Sequence, residues 1–201
     1  MLELKKKIIL ASASPRRQEL LRQIGIDFEV RTSSVDEIFD RSISPERNAV
    51  RLAELKAFEV ANDFDDAFII GADTIVVIND EILGKPANDE DAFMILKKLS
   101  GTEHRVFTGF AIVDKPSNKY ISDYEETVVK FRELDDDEIL SYIKSKSPND
   151  KAGAYGIQDD FGSVFVERIN GCFYNVVGFP ISKFYITLKN FQKEIELWIE
   201  K

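Results

Sequence analysis

The sequence predicts a mixed α/β fold, with strands and helices interleaved but lacking the even βαβ alternation of a doubly wound sheet. Three observations lead there. Short apolar runs of strand length alternate with stretches whose apolar residues recur at helical spacing. Some strand-like runs are joined by tight turns such as Asn79-Asp80 rather than by helices. The 201 residues, 44% hydrophobic and 31% charged, are enough for one globular domain over 1–201 with a real core, in two lobes, and that composition argues against disorder.

Residues 7–11 (KIILA) read as a buried strand that runs at once into Ser12-Ala13-Ser14-Pro15. Ser14 is placed as an N-cap with Pro15 at the first helical position, Leu20, Leu21 and Ile24 give the apolar face, and Gly25 stops the helix. A second strand follows at 28–33. Beyond it, Asp36-Glu37 is either a metal- or water-binding pair or a solvated turn. Ser44-Pro45 starts a helix over 46–61 with Val50, Ala53, Ala57 and Val60 as its buried stripe, and Lys56, taken alone, reads as a surface lysine.

The rest of the chain is arranged around residues 68–86, FIIGADTIVVINDEILGKP. An apolar strand delivers Asp73, a nearby glycine lets a ligand approach the backbone, and Lys85 returns on the far limb of the hairpin. An Asp after a strand is also a common turn former, and Lys-Pro a common solvated loop. Asn88 and Asp91 then bracket a helix start, with Phe93, Ile95, Leu96 and Leu99 inside and Ser100-Gly101 at its end. Strands at 105–113 and 120–131 are joined by a turn at Pro116-Ser117-Asn118, and Asp135 with Glu138 forms a capping box for a helix to about residue 146. After the polar loop 147–150, the small residues of 151–158 (KAGAYGIQ) allow close approach to a flat ligand. Residues 164–177, centred on Asn170-Gly171, predict a β-hairpin. Pro180 opens a last helix whose Phe184, Leu188, Phe191, Ile195 and Trp198 read mostly as core or interface.

Composition excludes several functions. Lys+Arg number 27 against 36 Asp+Glu, so a net charge of −9 argues against a nucleic-acid partner and requires any anionic ligand to be met by local cations. The charged, apolar-poor start reads as neither signal peptide nor anchor, and no apolar run approaches a bilayer span, so the expected location is cytoplasmic. One cysteine, Cys172, permits no internal disulfide, and one histidine, His104, leaves a metal to be held by carboxylates, hence a hard ion such as Mg²⁺ or Mn²⁺.

What remains is a set suited to a polyphosphate. The turn from strand into helix exposes backbone N–H groups and the positive end of the dipole, and Arg16 and Arg17 in that first turn oppose the dipole unless an anion joins them. Ser12, Arg16 and Arg17 are therefore phosphate-binding candidates, against the alternative of ordinary surface arginines. Asp73 is the candidate base or water activator, with Glu37, Lys56 and Lys85 as further charged groups. Gln158 offers one donor and one acceptor, which suits the O4 and N3–H edge of uracil or thymine, although a satisfied amide explains it equally.

Five ordered motifs, LASASPRRQELL, ADT, GKP, DKAGAYGIQ and FVERINGCFYNVVGFP, together resemble the Maf family of nucleoside triphosphate pyrophosphatases over residues 8–183. The resemblance implies a two-lobed fold of the Maf and ITPase type, a curved mixed β-sheet flanked by helices with a central cleft, often a homodimer. It also implies a divalent-metal-dependent hydrolysis between the α and β phosphates that yields the monophosphate and pyrophosphate. By matching motifs, Asp73 is similar to the family's proton acceptor, while Ser12, Arg17, Glu37, Lys56 and Lys85 fall on phosphate- and metal-handling positions, with Glu37 and Asp73 on the metal. Arg16, Thr74 and Gln158 side with the branch selective for dTTP and UTP; the methylated-GTP branch has an aromatic residue, Gln and Glu there. Asp159-Asp160 stand where the family has Gly after the Gln. Two alternatives stay open: a nucleotide-binding regulator of cell division with incidental catalysis, and a pyrophosphatase that clears modified nucleotides.

Overall fold

The computed structural model describes residues 4–145, 147–158 and 160–199. The first apolar run is β1 (Ile8–Leu10), and α1 (Pro15–Gln23) follows with Ser14 at its N-cap and Pro15 in its first turn. Gly25, at φ 72°, ends it. The expected second strand contracts to β2 (Glu29–Val30), because beyond it Ser33 and Ser34 bond to Glu59 instead of to a neighbouring strand. The helix at Ser44-Pro45 is α2 (Pro45–Ala61), and the central hairpin is β3 (Ala67–Ile78) and β4 (Glu81–Leu83). Positive φ at both Asn79 and Asp80 matches the two-residue turn read from the sequence. Then come α3 (Asp89–Leu99), β5 (Glu103–Lys115), β6 (Tyr120–Phe131) and α4 (Asp136–Lys144), with Asp135 and Glu138 forming the expected capping box. Short 3₁₀ turns lead to β7 (Val166–Asn170), α5 (Phe173–Val177) and α6 (Ile181–Ile199).

The expected hairpin over 164–177 does not form. β7 pairs antiparallel with β6, and the chain after Gly171 turns into α5. The reason is tertiary. Thr127 Oγ1 accepts from the Cys172 N–H at 3.0 Å and donates to the Cys172 carbonyl at 3.1 Å, while the buried Asn175 amide donates to Val106 O and to Thr127 Oγ1. These bonds reward a helical turn where local pattern favours a strand.

The sheet is mixed, in the order β2-β1-β3-β5-β6-β7 with β4 on β3. β1 runs parallel to both β2 and β3, with Ile9 opposite Ile69. By contact the chain divides into two units, Met1–Asp73 with Thr108–Glu125 and Gly178–Lys201, and Thr74–Phe107 with Glu126–Val177. In the first unit, side chains alternate between the two faces of β3. Ile69 packs against Ala53, Ala57 and Val60 of α2, whereas Phe68 meets Phe191 of α6 at 5.8 Å. Gly71 and Gly109 are required on the α2 face: a Cβ would lie 2.1 Å from Ala53 O at the former and 2.4 Å from the Ala49 carbonyl carbon at the latter. In the second unit, Leu96, Leu99, Ile139 and Ile143 are buried, and His104, Phe131, Tyr142, Tyr155 and Phe165 form an edge-to-face aromatic group. Among the described residues no helix is long and apolar enough to cross a membrane.

Candidate active site

Alternation along β3 puts Asp73 on the face shared by Ile69 and Gly71, towards α2, and because Gly71 has no side chain the helix lies against the strand there. On that helix Lys56 is three residues beyond Ala53, so its amine turns inward despite reading as a surface group. Lys56 Nζ donates to Asp73 Oδ1 at 2.6 Å and to Glu37 Oε1 at 2.8 Å. Asp73 and Lys56 are 5% and 7% exposed, while Glu37 is open to solvent. One ammonium thus bridges a buried and an exposed carboxylate.

Burial raises the proton affinity of Asp73 above the usual carboxylate range; Lys56 and Arg17 oppose that rise, and the nearby Glu37 adds to it. Arg17 is also buried, and burial lowers its pKa while the charge of Asp73 acts the other way. Its Nε donates to Gly178 O at 3.0 Å and its Nη1 to Ser12 Oγ at 3.1 Å. Ser12 Oγ also accepts from the Ser14 N–H at 3.3 Å, and Ser14 Oγ from the Arg17 N–H, so the loop into α1 is built from its own hydroxyls. Arg16, half-buried, follows Pro15 in the same first turn.

The first unit therefore brings together Ser12, Arg17, Asp73, Lys56 and Glu37. Thr74, Lys85 and Gln158 belong to the second unit. Thr74 is half-buried on β3; Lys85 and Gln158 are exposed, on the loop after β4 and after the buried Ile157. Gly153 N donates to Gly84 O at 3.1 Å, which ties the Lys85 loop to the segment ending in Gln158. Of the pair that departs from the family pattern, Asp159 lies outside the described residues.

Glu59 was not anticipated. It accepts from Ser34 N at 2.9 Å and from the hydroxyls of Ser33 and Ser34, bonds that hold its pKa below the ordinary range and fasten the loop carrying Glu37. Asn48 holds the far side of that loop through Asp40, whose N–H and carbonyl it meets at 2.8 Å each. A lone Glu on the polar side of a helix carries no sequence signal for such a role.

Glu37 and Asp73 offer hard carboxylate oxygens of the kind Mg²⁺ and Mn²⁺ take. Among the described residues no group of three or more His, Cys, Asp or Glu side chains stands ready to cage a metal. Two carboxylates with substrate phosphates and water completing the shell is the usual arrangement for Mg²⁺.

The profile of the Maf-like protein family matches residues 7–191. A protein of Caldicellulosiruptor saccharolyticus named dTTP/UTP pyrophosphatase is 52% identical over 182 residues, covering 89% of this chain and 91% of its own. Proteins of the same name from Alkaliphilus oremlandii and Acetivibrio thermocellus are 50% and 46% identical, over 92% of this chain and 96% and 95% of theirs. With a family match running through nearly the whole sequence and relatives this similar over nine-tenths of it, the chain belongs to the Maf family.

Proposed function

We propose that this chain hydrolyses dTTP and UTP to the monophosphate and pyrophosphate. The observation that carries the reading is the buried Asp73 carboxylate, held by Lys56 at 2.6 Å and raised in proton affinity by its burial. A group with these properties accepts a proton from attacking water more readily than a solvated aspartate does. The names borne by relatives at 46% to 52% identity support the substrate.

In this mechanism the N-terminus of α1 and the side chains of Ser12, Arg16 and Arg17 receive phosphate oxygens, and Lys85 adds a second cation. Lys56 keeps Asp73 ionised and aimed until it takes the proton from water. Glu37 and Asp73 are the residues that would hold Mg²⁺ or Mn²⁺, and a bound ion supplies neutralisation of charge on the phosphate oxygens. Thr74 and Gln158 read the pyrimidine, with the Gln158 amide pairing to O4 and N3–H. The family match from 7 to 191 crosses both compact units, which supports treating them as lobes of one domain. We place the enzyme in the cytoplasm, where nucleoside triphosphates are made and used.

The test is a panel of nucleoside triphosphates with Mg²⁺ or Mn²⁺, read as pyrophosphate release. Pyrophosphate from dTTP and UTP in preference to the other nucleotides is the expected result. Orthophosphate alone, or no release, would overturn the proposal.

A further inference from the structure

Hydrogen bonds hold the segment that ends in Gln158 to the rest of the second unit. Gly153 N donates to Gly84 O at 3.1 Å, Gly156 N donates to Tyr142 Oη at 3.2 Å, and Tyr155 Oη pairs with His104 Nε2 at 2.8 Å. Within the segment Gly153 and Ala154 take successive positive φ values of 71° and 60°. An alanine in that region is strained and persists only where surrounding contacts determine its conformation.

The bond between His104 and Tyr155 is made by two buried side chains, 2% and 6% exposed, with the Phe131 ring edge-on to both at 5.0 and 4.7 Å. An imidazole here is costly. Its Nδ1 has no hydrogen-bond partner among the described residues, and an apolar side chain there would carry no such desolvation penalty. Its Nε2 bonds to Tyr155, three residues before Gln158. Burial also pushes the His104 pKa down to about 3, so the ring is neutral at working pH and is no proton carrier for the reaction.

We infer that His104, acting through Tyr155, positions residues 152–158 so that Gln158 meets the pyrimidine edge; it is a positioning residue for base selection. The inference rests on the reading of Gln158 as the base reader.

The experiment compares His104→Phe, Tyr155→Phe, His104→Gln and Gln158→Ala in the full chain, with two readouts. One is amide hydrogen exchange over 153–156, which needs no turnover. The other is the ratio of kcat/KM for UTP to that for CTP, measured by pyrophosphate release. Both phenylalanine variants should exchange faster and lose about tenfold in the ratio, through KM with little change in kcat, the scale of one neutral hydrogen bond. His104→Gln, which keeps a hydrogen-bonding group, should recover most of the loss. A general loss of fold would lower turnover of UTP and CTP alike and leave the ratio intact. Tyr155→Phe removes a single oxygen and carries the test should His104→Phe fail to fold. Unchanged exchange, or an unchanged ratio where Gln158→Ala lowers it, overturns the inference. A flat ratio in Gln158→Ala overturns it too, by removing its premise, and is told apart from a failed tether because exchange is read independently.

Discussion

Replacing Lys56 by Met keeps the apolar stem and removes the ammonium that sits 2.6 Å from Asp73. At that distance and an effective dielectric of about 20 the Coulomb attraction is roughly 6 kcal/mol, and breaking a buried pair by removing one partner costs about 3–5 kcal/mol. Asp73 can escape part of that cost by taking a proton, so the penalty depends on pH. Burial already raises its pKa, and Lys56 is the strongest influence opposing the rise. A carboxyl with a folded pKa above its unfolded one binds protons more tightly when folded; its favourable contribution is present at low pH and is lost as pH rises through the folded value. Removing Lys56 raises the pKa further, and Glu37, left nearby without the bridging cation, pushes the same way. Urea denaturation of Lys56→Met should therefore show the full 3–5 kcal/mol loss at about pH 8 and a smaller one at about pH 5. The acidic limb of its kcat/KM profile should move to higher pH. An equal loss at both pH values with an unmoved limb would refute the claim that Lys56 holds Asp73 ionised.

Arg17→Met removes the donors to Gly178 O and Ser12 Oγ, and should raise KM for UTP and cost about 1.5–3 kcal/mol by thermal melting; Arg17→Lys should not restore either, since one ammonium cannot reproduce the fork. Gly71→Ala places a methyl 2.1 Å from the backbone oxygen of Ala53, so α2 must move: a loss of about 3 kcal/mol or more by denaturant, with a fall in kcat as Lys56 leaves Asp73, is the expected outcome. With the His104 pKa pushed down to about 3, the unfolded chain takes up a proton that the folded one refuses, so the fold loses stability as pH falls from 6.5 towards 3, by up to roughly 5 kcal/mol; His104→Phe should flatten the acid limb of the stability curve.

Much of the fold was legible because its signals are local. The Ser14-Pro15 cap, the Asn79-Asp80 turn, the Asn88 cap and the Asp135–Glu138 box each lie within a few residues of the element they start, and the structure carries all four. The hairpin expected at 164–177 failed because Thr127 and Asn175, 48 positions apart, decide the conformation at Cys172. The charged groups of the candidate site were legible in composition, but their geometry was not. Scarcity of His and Cys pointed to carboxylates and cations, and the arginines opposing the α1 dipole pointed to an anion. The burial of Lys56 was not readable, since it follows from the contact of α2 with Gly71, and the grip of Glu59 on the Glu37 loop depends on a helix meeting two serines 25 or more residues earlier.

The role proposed for Asp73 is to take the proton from water during cleavage of a pyrimidine nucleoside triphosphate. Its most direct test is Asp73→Asn, which keeps the shape and removes the base, assayed by pyrophosphate release from UTP alongside UTP binding. A fall in kcat of about 10²–10⁴ with binding retained is the predicted result. A variant that still releases pyrophosphate within about threefold of the wild-type rate would contradict it.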